Sequence, residues 1–173
     1  MDKLIGENLE SLMIIGCSLI IGGIIMWIVD WRYSTRATTQ RMEEMTLRQA
    51  VIIGLAQIFS AAFPGTSRSM STIAAGQVMG LSRTAALEFS FFLSIPVMVA
   101  ATGFKLLQFI LKNPSPITAE QWGVLAIGFL TSFFVAWGVI AWFMTWVRKY
   151  GFAPFAIYRV IVGTLTLIWI SLR

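Results

Sequence analysis

Nine consecutive residues, Pro64-Gly65-Thr66-Ser67-Arg68-Ser69-Met70-Ser71-Thr72, combine a helix-breaking pair, hydroxyls and one arginine. They directly follow the apolar run 50–63. A guanidinium in apolar surroundings is costly and persists where a polar cavity or an anion offsets its desolvation. Its planar fork matches phosphate oxygens, as do hydroxyls and the free N–H groups of a helix start. The segment therefore reads as a phosphate pocket inside a membrane. Arg68 is the residue hardest to explain otherwise, and Gly65, Thr66, Ser67, Ser69 and Ser71 are the candidate anion-binding residues around it. Each also has a plainer use. Gly65 after Pro64 serves a tight turn as well as it serves a turn that exposes N–H groups. The hydroxyls can cap a helix or bond back to its carbonyls. Arg68 can snorkel, but a hairpin tip leaves it far from either interface.

The rest of the chain explains why such a pocket would lie in hydrocarbon. Of 173 residues, 57% are hydrophobic and 12% charged, and mean hydropathy is +0.79. A soluble domain carries about a quarter charged residues, so the class is integral membrane and a single domain. Net charge is +5 and the pI is near 9.9. In a membrane chain that excess reflects cytoplasmic loops and attraction to anionic lipid. No basic run with interleaved aromatics points to nucleic acid. Histidine is absent, which removes imidazole acid–base chemistry and imidazole metal ligation from these residues. The lone cysteine, Cys17, sits in an apolar run and reads as a small hydrophobe. Asp2, Glu7 and Glu10 against Lys3 are the wrong charge for a signal peptide.

Four stretches are long and apolar enough to span: 11–29, 83–111, 119–147 and 155–172. Small residues Gly16, Gly22 and Gly23 in the first allow a neighbouring helix to approach closely. Residues 30–48 read as a polar loop with a helix starting near Thr46. Residues 50–63 cover only about 20 Å as a helix, too little to cross. Pro64-Gly65 breaks that helix, and another resumes after it. Ser82 is a plausible N-cap, and Pro96 is expected to kink the helix that follows. Loop charges favour a re-entrant hairpin over 49–82 with its tip at 64–69, near the midplane. With the arginine-rich loop inside, the hairpin places the charge-poor loop 113–116 and the amino terminus outside, and Arg148-Lys149 inside. The expected fold is all-α, a polytopic helical bundle with one re-entrant helix-loop-helix hairpin.

Three stretches carry a resemblance: Phe63-Pro64-Gly65-Thr66-Ser67-Arg68-Ser69; Gly80-Leu81-Ser82-Arg83 with Glu88-Phe89-Ser90-Phe91-Phe92-Leu93-Ser94-Ile95-Pro96; and Tyr158-Arg159-Val160-Ile161-Val162-Gly163. In order and spacing the chain resembles the bacitracin-resistance family of undecaprenyl-diphosphate phosphatases, from about Leu12 to its end. The resemblance implies a multi-pass enzyme of the bacterial plasma membrane. It would remove the terminal phosphate of undecaprenyl diphosphate, recycling the lipid carrier for cell-wall synthesis. It implies two inverted repeats, each with a re-entrant hairpin, residues 64–69 forming the second tip. Ser67 and Arg68 would bind and polarise the diphosphate, with Thr66 and Ser69 in the same lining. A divalent cation, Mg²⁺ or Ca²⁺, is implied as cofactor, and a site open to the periplasmic face.

Two departures stand out. Met70 follows Ser69 where the family usually has glycine, and a bulky residue there would narrow the pocket or restrict the turn. The family's Glu-rich motif and Ser-Ser-Thr-Gly-His segment are absent, so the resemblance covers about the carboxyl-terminal two thirds of a full enzyme, and these residues supply no metal ligands. Glu88 lies inside an expected span and is expected to pair with Arg83 or Arg159. Gln57 can support the tip or make a helix–helix contact. Arg159 reads as an interfacial snorkelling residue. Two functions compete. One is phosphoryl hydrolysis of the lipid diphosphate, in a chain that is incomplete or needs its amino-terminal half. The other is a non-enzymatic module that dimerises and binds or moves a polyprenyl phosphate.

Overall fold

The computed structural model describes residues 12–112 and 118–172. The expected loop at 113–116 falls largely outside them, as do the acidic amino-terminal residues. The described residues form seven α-helices: α1 (Leu12–Tyr33), α2 (Leu47–Leu55), α3 (Gln57–Ala62), α4 (Arg68–Val78), α5 (Arg83–Lys112), α6 (Ala119–Tyr150) and α7 (Ala153–Ser171), with a 3₁₀ turn at Met42–Glu44. Four of them, α1, α5, α6 and α7, are long and apolar enough to cross a membrane. The protein is an all-α polytopic membrane protein.

Two compact units emerge. One comprises residues 1–91 and 147–173 and the other 92–146. The second holds most of α5 and α6, whose side chains are exposed almost throughout. Exposed Phe, Leu, Val and Trp on such helices suit hydrocarbon, where apolar surface costs nothing to leave unburied. Helix α5 continues through Pro96. Thr118 caps α6 reciprocally with Gln121.

The first unit is built on α1 against α7. Glycines set their separation. A Cβ on Gly16 would lie 2.8 Å from Leu167 Cδ2, and one on Gly23 would lie 2.8 Å from the Ala156 carbonyl oxygen. The order of these contacts makes the pair antiparallel. Helices α2 and α3 run out and α4 runs back. Thr46 caps α2 through Gln49, and Gln49 Nε2 reaches across to the Met79 carbonyl at 2.9 Å and Thr39 Oγ1 at 3.2 Å. The two ends of this hairpin therefore meet. Residues 38–40 stitch onto the same end through Thr39 N to Gly80 O and Ser82 N to Thr39 O. Ser82 caps α5 by accepting the Ala85 N–H.

Two expectations need correction here. Asp30 does not start a loop: α1 runs on to Tyr33, and Asp30 is 3% exposed within it. It stays in the helix because four donors await it. Its Oδ1 accepts Arg83 Nε at 2.6 Å and Gln77 Nε2 at 3.1 Å; its Oδ2 accepts Arg83 Nη2 at 2.9 Å and the Phe152 N–H at 3.2 Å. One carboxylate thus ties together α1, the end of α4 and the starts of α5 and α7. Gly151 sits against it with φ +67°, where a Cβ would lie 3.0 Å from Asp30 Oδ2 and from the Arg83 guanidinium carbon. The second correction concerns Glu88. Arg83 belongs to Asp30, and Glu88 faces Arg148 instead at 3.7 Å. That pair is long and largely exposed, and is worth little.

Candidate functional site

The hairpin turns at Phe63, where the α3 geometry ends in an extended residue. Gly65 follows with φ +86°, a left-handed conformation that glycine takes without strain. It is also a point of contact, since a Cβ there would lie 2.8 Å from the Ile15 carbonyl oxygen of α1. Any larger residue would push the tip off α1. The chain then enters α4 at Ser67, whose Oγ accepts the Met70 N–H at 3.4 Å. Ser67 Oγ also lies 3.0 Å from Ser69 Oγ. Thr66 closes the turn by donating its N–H to the Phe63 carbonyl at 3.1 Å.

The hydroxyls divide by use. Ser71 Oγ bonds back to the Ser67 carbonyl. Thr72 Oγ1 bonds the Arg68 and Ser69 carbonyls and Ser90 Oγ at 2.7 Å, which pins α4 to α5. Ser67 and Ser69 stay at the mouth of the helix, where first-turn N–H groups and the helix dipole favour an anion. Gln57 turns away from the tip. Its Nε2 bonds the Gly54 carbonyl at 3.2 Å, where α2 gives way to α3.

Two arginines complete the site. Arg68 Nη1 is buried with no hydrogen-bond partner among the described residues. Arg159 comes from α7 and donates Nη2 to the Gly65 carbonyl at 2.9 Å. Its Nε is also buried without a partner among the described residues. Neither arginine takes part in the ion pairs found among those residues. Buried unsatisfied donors are uncommon and call for an explanation. Here two guanidinium groups carry them at one hairpin tip. Sequence reasoning missed Arg159, which it treated as snorkelling. The available signal was a charge in a span otherwise uncharged from Ala156 to Trp169.

Beside the tip lies a cavity of about 430 Å³. Ile21, Ile25, Phe59, Phe63 and Met70 make its wall, and Thr66 and Ser71 its polar edge. Among the described residues, no three His, Cys, Asp or Glu side chains gather as a bound cation would need. Asp30 is fully engaged, Glu88 faces Arg148, and the tip offers hydroxyls and positive charge. This donor set suits an anion and does not fit a divalent cation.

The sequence has known relatives. The family described as Bacitracin resistance protein BacA matches residues 1–165. The chain belongs to this family. Its relatives include the undecaprenyl-diphosphatase of Koribacter versatilis, 54% identical over 96% of this chain and 61% of the relative. That of Caldanaerobacter subterraneus is 41% identical over 96% of this chain and 60% of its own length. That of Aquifex aeolicus is 40% identical over 92% and 59%. The chain thus spans about three fifths of the length of these curated relatives. The tip residues of this BacA-family chain lie well inside the matched region.

Proposed function

We propose that this chain hydrolyses undecaprenyl diphosphate to undecaprenyl phosphate and inorganic phosphate, in the bacterial inner membrane, with residues 64–69 holding the diphosphate. The observation that carries the reading is a pair of half-buried arginines, Arg68 and Arg159, each with one buried, unpartnered nitrogen, at a hydroxyl-lined helix start. Phosphoryl transfer is catalysed mainly by positioning and charge neutralisation, which is what such a site supplies. Arg68 takes the phosphate oxygens through its fork. Arg159 adds a second positive charge, held in place by the Gly65 carbonyl. Ser67 and Ser69 donate hydroxyl hydrogen bonds, and Thr66 and Ser71 border the start of the tail. At about 430 Å³ the apolar cavity accommodates on the order of fifteen carbons, taking a methylene at about a water's share of liquid volume. The proximal tail sits there and the remainder lies in the bilayer. The hairpin over 49–82 is re-entrant in this reading, which keeps the headgroup site within the membrane protein while its ends face one side.

A divalent cation, where the reaction uses one, would be held by groups other than the described residues. It would supply charge neutralisation beyond that of the two arginines.

The test is binding and phosphate release by the purified 173-residue protein in detergent micelles, with undecaprenyl diphosphate and Mg²⁺. Arg68→Lys keeps the charge but loses the bidentate fork. It is expected to weaken binding by about tenfold and to lower any phosphate release by at least about 100-fold. Activity and affinity within twofold of the parent would remove Arg68 from the site. Tight binding without turnover in the parent would instead mark a lipid-phosphate-binding protein.

A further inference from the structure

Met70 and Arg159 share one notch. A Cβ placed on Gly22 of α1 would lie 2.9 Å from Met70 Cε and 2.8 Å from Arg159 Nη2. The thioether methyl and the guanidinium therefore both border the space over the same glycine. Met70 is 5% exposed and sits in the first turn of α4. It also lines the apolar cavity, with Ile21, Phe59 and Ala74. The guanidinium across the notch donates to the Gly65 carbonyl.

We propose that Met70 is a positioning residue for Arg159, a wall that separates the tail cavity from the charged end of the site and holds the guanidinium against Gly65. The physical reason is excluded volume and excluded water. A methionine is long enough to fill the notch and has no polar atom to compete for the guanidinium. With the notch filled, Arg159 cannot swing toward the cavity, and water cannot reach it from that side. Its charge then acts in a low dielectric, where an anion feels it more strongly. A small residue at position 70 would join the cavity to the charged end, hydrate Arg159 and free it from its carbonyl. Gly22 is the complementary half, because any side chain there would contest the same volume.

This proposal rests on the diphosphate reading for its functional consequence, but the contact itself is testable without ligand. With [¹³C-methyl]methionine in the full chain, Met70→Leu identifies the Met70 resonance. Arg159→Lys is expected to shift that resonance; an unmoved signal overturns the proposal. Binding of inorganic diphosphate and of farnesyl diphosphate gives the second arm. Met70→Ala is expected to weaken inorganic diphosphate about tenfold, and Met70→Leu to recover most of that loss. In the Met70→Ala background, Arg159→Lys is expected to cost less than half of its effect in the parent. Independent, additive losses at 70 and 159 overturn the positioning role. A shifted methyl resonance in a protein that binds neither diphosphate supports the contact and defeats the phosphatase reading instead.

Discussion

Two charged clusters lie at opposite ends of α4, one at Gln77 and the other at Arg68. At one, the carboxylate of Asp30 receives four hydrogen bonds from Arg83, Gln77 and the Phe152 N–H. At the other, Arg68 and Arg159 gather at the hairpin tip with buried nitrogens that meet no partner among the described residues. Both clusters draw on α1, α4 and α7 or its start, so neighbouring helices alone do not explain the contrast. A buried charge with a complete set of partners is tolerated as structure, and removing one partner is strongly destabilising. A buried donor without a partner costs stability in the folded protein. Such a cost is expected where a ligand supplies the missing acceptor. The first cluster holds helices together; the second is where the proposed diphosphate would dock.

The largest expected effect separates the two by function. Arg68→Ala should reduce diphosphate affinity on the order of 100-fold, the loss of two charge-assisted hydrogen bonds. The same change should leave the thermal unfolding midpoint unchanged or raise it, since an orphaned donor is removed. A large drop in the midpoint would mean that Arg68 is structural, and the contrast would collapse. Next, Asp30→Ala should lower stability by about 3 kcal/mol, because Arg83 loses its partner. Unfolding followed by circular dichroism checks this, and Asp30→Leu with Arg83→Met should cost less than Asp30→Ala alone. Gly65→Ala comes third. The positive φ and the approach to Ile15 should cost about 1–3 kcal/mol and displace the carbonyl that holds Arg159. Diphosphate affinity should fall together with stability, and a fall in only one would uncouple tip geometry from Arg159. Smallest is Ser90→Ala, which removes the bond to Thr72 and should cost about 1 kcal/mol with affinity unchanged.

The helices were legible because lipid imposes a length and a composition on anything that spans it. The break at the tip was legible too, because Pro64-Gly65 cannot continue a helix, and a new one starts at Arg68. The caps at Thr46 and Ser82 followed from local chemistry that needs no tertiary partner. Asp30 was misjudged because a carboxylate beside arginines resembles a loop when its partners, Gln77, Arg83 and Phe152, are far away in sequence. Arg159 was misjudged for the same reason, since its acceptor, Gly65, lies 94 positions upstream. Glu88 was given the wrong arginine because Asp30 already held the nearer one.

By itself, the sequence determined a membrane protein, its four long apolar helices and one polar segment suited to phosphate. These depend on hydropathy, helix length and backbone breakers, which act over a few turns. Only the tertiary structure decided which arginine serves Asp30 and which two are left with unpartnered donors at the tip. It also decided that Met70 and Arg159, far apart in sequence, both border Gly22. Those outcomes depend on helices from distant parts of the chain competing for the same few acceptors and the same small volumes, and no local pattern records who wins.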